Sequence, residues 1–228
     1  MIKAVVFDMD NTLLDFWGAK TTSINASIDA MLKAGLRMKK EKAKKILFDL
    51  YDIHGIEHKE ILQKFLMKTQ KKIDMKILSA GIVAYREIQA HYHKPYPQSD
   101  KVLRELKKRK YRLGVISDAP LLKLWLRLTE ARLADYFDVV VSSEEAGRSK
   151  PSSEPFRLAL KKLKVKPDHV LYVGDSPRRD IKGAKNVGMV TALAEYGMHK
   201  SHRKHLKSNK PDYVLKDIND ILKLLEKA

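Results

Sequence analysis

The sequence predicts an α/β protein: a Rossmann-like, doubly wound parallel sheet with an α-helical bundle inserted into it. Three observations predict this. The apolar, β-branched run Ala4-Val5-Val6-Phe7 reads as a strand buried on both faces, and it stops abruptly at Asp8-Met9-Asp10. Residues 15–94 then carry helical periodicity and almost no strand signal. From residue 95 onward, short apolar runs alternate with amphipathic stretches of helix length, the pattern of parallel strands joined by crossover helices.

The elements follow in order. After the first strand, Ile24, Ile28, Met31 and Leu32 fall at helical spacing, and Gly35 is a stop. Ala43, Ile46, Leu47 and Leu50 make a second stripe, ended near Gly55. Ile61, Leu62, Phe65 and Leu66 make a third, and Ile77, Leu78, Ala84 and Ile88 a fourth, ended before Pro95. Four amphipathic helices with short joins read as a small bundle whose lysines point to solvent. Pro95-Tyr96-Pro97 is a connector. Beyond it come a helix from about Ser99, a strand at Arg112 to Ser117 and a helix bearing Leu121, Leu122, Leu124 and Leu128. A strand at Asp138 to Ser142 and a helix from near Ser153 with Pro155 in its first turn follow. A strand at His169 to Val173, a helix ending at Gly188, strands at Met189 to Leu193 and Asp212 to Leu215, and a C-terminal helix complete the chain. The first strand belongs to the later sheet. The expected division is therefore a core of residues 1–14 and 95–228 and an inserted helical domain of residues 15–94.

Composition narrows the function. With 44% hydrophobic residues in 228, the chain can bury a sizeable core. Cysteine is absent, which excludes disulfides and thiolate catalysis and suits a reducing compartment, so the expected location is the cytoplasm. No apolar run has the length of a membrane span, and the N-terminus enters a strand rather than a signal peptide. The formal net charge of +18 raises the question of nucleic acid, but aromatics make up only 7% and no nucleic-acid module signature is present. A solvated basic surface that attracts a small anionic substrate is the reading taken. His199, His202 and His205 do not share one helical face and sit among Lys and Arg, so a solvated loop is expected there.

Chemistry collects at four places. Asp8 and Asp10 stand at the carboxyl end of a strand, where open α/β sheets bind ligands; the same residues also make good turn chemistry. Ser117-Asp118 ends another strand and could hold phosphate oxygens or simply cap a helix. Lys150, in Gly147-Arg148-Ser149-Lys150-Pro151, is an aimed ammonium or an ordinary loop lysine. Asp175 follows Gly174 at the end of a third strand and suits a hard cation. Asp180, on the next helix, could orient a metal-bound water, pair with Lys150, or serve as a first-turn acid.

Taken together, Asp-x-Asp-x-Thr after the first strand, Ser117 after another, Lys150 ahead of a helix and Gly-Asp-x-x-x-x-Asp at 174–180 resemble the haloacid dehalogenase superfamily. The resemblance covers essentially the whole chain, and the inserted bundle is similar to that superfamily's first-position cap. It implies that Asp8 attacks phosphorus and that Asp10 protonates the leaving alkoxide and then activates water. Thr12 would support their loop, Ser117 would hold the phosphoryl group and Lys150 would keep Asp8 ionised. Asp8, Asp175 and the backbone carbonyl of Asp10 would hold Mg²⁺. Dehalogenating members lack an acid at the position of Asp10, and transport ATPases carry Thr there. The implied activity is therefore Mg²⁺-dependent hydrolysis of a small phosphomonoester through an aspartyl-phosphate, with a phosphomutase as the alternative and a 2-haloacid dehalogenase behind it. Overall likeness is greatest to members acting on glyceraldehyde 3-phosphate, then phosphoglycolate. The helical cap is expected to close over the site. Phe16 and Trp17 would wall the leaving-group pocket or pack the hinge. Asp118 departs from the Asn frequent at its position and is expected to turn away from phosphate.

Overall fold

In the computed structural model, which describes residues 1–55, 58–89 and 94–227, strand β1 (Ala4–Phe7) has all four side chains buried. That burial explains why the run is apolar on both faces. β1 pairs in parallel with β2 (Arg112–Ser117) and with β4 (Val170–Gly174), Val5 standing opposite Leu113 and Leu171. With β3 (Val139–Ser142), β5 (Val190–Ala194) and β6 (Tyr213–Leu215) they form a six-stranded parallel sheet in the order β3-β2-β1-β4-β5-β6. This is the doubly wound order, as expected from the alternation.

Successive residues of each strand face opposite layers. Val5, Phe7, Val115 and Val173 pack with Leu103 and Leu106 of α5 (Ser99–Lys108), Leu124 and Leu128 of α6 (Leu121–Glu130) and Ile221 of α10 (Asp220–Lys227). Ala4, Val6, Ile116 and Tyr172 pack instead with Phe156, Ala159 and Leu163 of α8 (Ser153–Leu163). Each large side chain buried this completely contributes roughly 1.5–3 kcal/mol.

The chain divides into two compact units, Met1–Phe16 with His93–Ala228, and Trp17–Tyr92. The second consists of α1 (Phe16–Lys33), α2 (Lys40–His54), α3 (Ile61–Gln70) and α4 (Met75–Gln89), around Ile24, Ile28, Met31, Leu47, Phe65 and Leu66. Lys20 departs from the solvated-lysine expectation. It is buried, its ammonium donates to the Tyr85 hydroxyl at 2.7 Å, and it lies 4.3 Å from the centre of the Tyr51 ring.

Two stretches differ from expectation near the carboxyl ends of the strands. The helix expected after Gly174-Asp175 and ending at Gly188 is a π-helical turn (Pro177–Ile181) followed by the short α9 (Lys182–Lys185). Ser176 causes this: its carbonyl accepts from both Asp180 N at 2.8 Å and Ile181 N at 3.2 Å. The basic run expected to be loop contains a 3₁₀ turn at Lys200–His205. A helical turn with no clear sequence signal, α7 (Ser143–Ala146), is capped by Ser142 Oγ, which accepts from Glu145 N at 3.0 Å. Among the described residues, no helix is long and apolar enough to cross a membrane.

Candidate active site

The strand order changes direction at β1: the chain next fills the side of β2 and β3, and later the side of β4, β5 and β6. The loops leaving β1 and β4 therefore diverge and open a crevice between them. Asp8 leaves β1 and Asp175 leaves β4, so the two carboxylates flank that crevice. The backbone knits their loops together, Asp8 N donating to Val173 O at 2.8 Å. Gly174 is required here. A Cβ on it would lie 2.5 Å from the Cβ of Asp180, so only glycine lets the π-helical turn fold Asp180 back onto the end of the strand.

The centre of the cluster is Lys150, whose side chain is 1% exposed. Its ammonium lies 2.5 Å from Asp8 Oδ1, 2.6 Å from Asp180 Oδ1, 3.2 Å from the Tyr172 hydroxyl and 3.3 Å from Ile116 O. Four acceptors surround three donors, a surplus that holds the charged form. Burial alone would lower the Lys150 pKa, but Asp180 and Asp8 raise it well above its ordinary value. Asp180 is satisfied on both oxygens, by Lys150 and the Tyr172 hydroxyl at 3.0 Å on one and by Ser176 N at 2.9 Å on the other. Burial raises its pKa, and Lys150 and Arg179 more than reverse this, leaving it below the ordinary carboxyl value. Asp8 goes the other way. Burial raises its pKa strongly, Lys150 opposes, and Asp180 and Asp175 add to the rise. Of the three readings open for Asp180, the structure shows the pairing with Lys150.

Asp8, Asp175 and Asp180 each bring a carboxylate oxygen within 4.8 Å of the others'. Asp175 is fully buried, yet neither of its oxygens accepts a hydrogen bond among the described residues. The nearest cations are Arg179, 3.8 Å away, and His202 Nδ1, 3.6 Å away. Burial, offset in part by His202, holds the Asp175 carboxyl above its ordinary value. A buried carboxylate without hydrogen bonds, beside two further oxygen donors, is a set that fits a small hard divalent cation.

The other residues singled out in the sequence fall around this cluster. Thr12 Oγ1 donates to Asp8 Oδ2 at 3.3 Å, and the Tyr196 hydroxyl holds the Thr12 carbonyl at 2.7 Å. The loop bearing Asp8 and Asp10 is pressed against Gly197, where a Cβ would lie 1.6 Å from Asn11 O. The Asp10 carboxylate lies outside the cluster, with Oδ2 2.5 Å from the buried guanidinium of Arg127. That guanidinium also sits over the Phe16 ring, 5.4 Å from its centre. Ser117 is buried at the end of β2, its hydroxyl accepting from Ala119 N at 3.1 Å. Asp118 accepts from Lys150 N at 2.9 Å and lies 3.4 Å from Arg179, so its charge is compensated.

Sequence reasoning passed over three residues of this neighbourhood and misplaced a fourth. Arg127 reads as a surface cation of an amphipathic helix, and Tyr172 as a core aromatic. Arg179 lies inside the 174–180 motif, where the extra cation opposite an unusual Asp118 is a usable signal. His202 was expected in a solvated loop; the 3₁₀ turn instead carries its ring inward, with Nδ1 buried beside Asp175.

The haloacid dehalogenase-like hydrolase family model matches residues 5–194. The chain is 33% identical to the glyceraldehyde 3-phosphate phosphatase of Methanocaldococcus jannaschii, over the full length of both. Among solved structures it is similar to a Thermotoga maritima protein classed as a β-phosphoglucomutase, with TM-score 0.78, 21% identity and full coverage of both chains. It is also similar to a Bacillus subtilis hydrolase solved bound to magnesium, with TM-score 0.71, 19% identity and 99% coverage of both.

Proposed function

The chain belongs to the haloacid dehalogenase-like hydrolases and is a phosphatase among them; from that premise we propose that it hydrolyses a small phosphomonoester with Asp8 as nucleophile and Mg²⁺ as cofactor. The observation that carries the proposal is the buried Lys150 ammonium bridging Asp8 and Asp180, beside an Asp175 carboxylate that lacks a hydrogen bond.

Asp8 Oδ attacks phosphorus in line with the leaving oxygen. The P–O bond to the alcohol breaks, and an aspartyl-phosphate forms on Asp8. Asp10 gives its proton to the departing alkoxide. In the second step Asp10 takes a proton from water, which attacks the same phosphorus, releasing phosphate and restoring the Asp8 carboxylate. Burial works against an ionised Asp8, so the nucleophile depends on Lys150. Asp180 serves by fixing the ammonium through its short contact, with Tyr172 as a second anchor. Arg127 grips the Asp10 carboxylate and sets where its proton can be delivered. Ser117 would hold the phosphoryl oxygens, and Thr12 braces the Asp8 loop. Asp8, Asp175 and the backbone carbonyl of Asp10 are the groups that would hold Mg²⁺, which when bound neutralises phosphoryl charge. The likeness to the M. jannaschii enzyme supports glyceraldehyde 3-phosphate, or a phosphomonoester of similar size, as the substrate. The absence of cysteine supports action in the cytoplasm.

The test is hydrolysis of a panel of phosphate monoesters by wild type and Asp8→Asn, with and without Mg²⁺. Cation-dependent release of phosphate, abolished in the variant, is expected. A folded wild type that releases phosphate from no ester, or an Asp8→Asn that still turns over, would overturn the mechanism. Cation binding is read separately as a thermal upshift with Mg²⁺ that Asp175→Asn loses.

A further inference from the structure

Beside the carboxylate cluster, in the same unit, lies a cavity of about 400 Å³, large enough for a small-molecule group. The π-helical turn and the 3₁₀ turn of residues 200–205 form most of its wall. Lys150 and Ser176 belong both to that wall and to the cluster, so the two spaces adjoin. None of its described lining residues is acidic, while Lys150, Arg178, Arg179 and Lys204 carry permanent positive charge.

Two of these charges are already matched: Lys150 by Asp8 and Asp180, Arg179 by Asp118 and Asp175. Arg178 and Lys204 have no carboxylate within ion-pair distance among the described residues. His205, on the same wall, registers this. Partial burial, then the charges of Lys204, Arg178 and His202, push its imidazole below its ordinary value. Arg178 and Lys204 are exposed at the open side of this space, and a concave surface with surplus positive charge and no acidic side chain favours an anion.

We propose that this cavity is a second anion subsite, taking the far carboxylate or phosphate of a substrate whose first phosphoryl group is attacked by Asp8. The proposal rests on the phosphatase reading but replaces its substrate: a phosphomonoester with a second anionic end is preferred over glyceraldehyde 3-phosphate, whose far end is uncharged. Arg178 supplies a fork for a planar or tetrahedral oxyanion, and Lys204 a point charge.

The test uses three-carbon esters differing only at the far end: propyl phosphate, 3-phosphooxypropanoate and propane-1,3-diyl bisphosphate. Homologues with linkers of two to five carbons vary the reach. Wild type is expected to favour a two-headed ester of the right length by about tenfold or more in kcat/KM, chiefly through KM. Arg178→Ala with Lys204→Ala is expected to erase that preference and leave turnover of propyl phosphate unchanged. Equal handling of one- and two-headed esters at every length, or a preference that survives the double variant, overturns the subsite. So does a free anion as its occupant: inorganic sulfate changing propyl phosphate turnover through Arg178 and Lys204, without any two-headed preference. If propyl phosphate is hydrolysed and the preference is missing, only the subsite fails; if no ester is hydrolysed, the phosphatase reading fails and the subsite with it.

Discussion

Replacing Lys150 by Met removes one positive charge and almost no volume, and the structure says what should follow. The ammonium is 1% exposed and is shared by Asp8 and Asp180 at 2.5 and 2.6 Å. Without it, two buried carboxylates face each other and Asp175, with Arg179 as the main remaining cation. Stripping one partner from a buried pair costs about 3–5 kcal/mol. At about 2–4 °C per kcal/mol for a chain of this size, the melting temperature should fall by about 6–20 °C. The pH dependence fixes the cause. In the wild type, Asp180 has a lowered pKa, so its ionised form stabilises the fold above the unfolded carboxyl value, and that stability is lost as pH falls through the folded value. Asp8 has a raised pKa, so its ionisation already opposes folding as pH rises past the unfolded value. In Lys150→Met, Asp180 loses its main support and joins Asp8 in resisting ionisation. The deficit should therefore be largest near pH 7.5 and shrink toward pH 4.5, where both carboxyls can take up protons. Thermal melts of both proteins at the two pH values, in chelator, measure it. A shift under about 2 °C, or one equal at both pH values, would refute the reasoning.

Further outcomes follow from single contacts. Arg179→Ala removes the guanidinium 3.4 Å from the Asp118 carboxylate; with phosphate held at Ser117, as the proposed mechanism has it, KM for the best ester should rise about tenfold. Adding Asp118→Asn should then recover most of the loss; additive damage in the double variant would refute the pairing. Gly197→Ala would place a methyl 1.6 Å from Asn11 O, so the Asp8 loop must shift, and steady-state kinetics should show a loss of kcat of more than about tenfold. Asp138 accepts from Leu113 N at 2.7 Å and from Lys107 at 2.8 Å. Burial raises its pKa, but Lys107 and the Leu113 amide bring it below the ordinary value. Asp138→Asn should cost about 1 kcal/mol at pH 7, its side chain being 40% exposed, and the difference should fade as pH drops through the folded value.

The fold was legible where one period dominates a segment. Ala4–Phe7, Val139–Ser142 and Val170–Gly174 have no exposed side chain, so their sequences are dominated by apolar residues and read as buried strands. Carboxylates at the ends of two such strands stood out because nothing in a strand asks for them. What stayed hidden depends on partners distant in sequence. The inward turn of Arg127 is set by Asp10, and periodicity alone leaves a cation on α6 free to face water. The π-helical turn is set by Ser176 accepting two amides and by Gly174 admitting Asp180, which a helical pattern from 177 to 188 does not reveal. The role of Tyr172 is divided: its ring packs on Phe156 as core, while its hydroxyl serves Lys150 and Asp180.

The central position of β1 has a consequence for how the protein is made. Its partners Leu113 and Leu171 follow only after the whole helical unit. During synthesis the helical unit can form from neighbouring segments, whereas β1 leaves the ribosome apolar on both faces and with both edges unpaired. It must wait for strands that close long loops, the slow and aggregation-exposed step for a parallel sheet. Asp8 is thus translated early and assembled late. It leaves the ribosome long before Lys150 and Asp175, so a stalled or truncated chain carries Asp8 without the groups that surround it in the folded core.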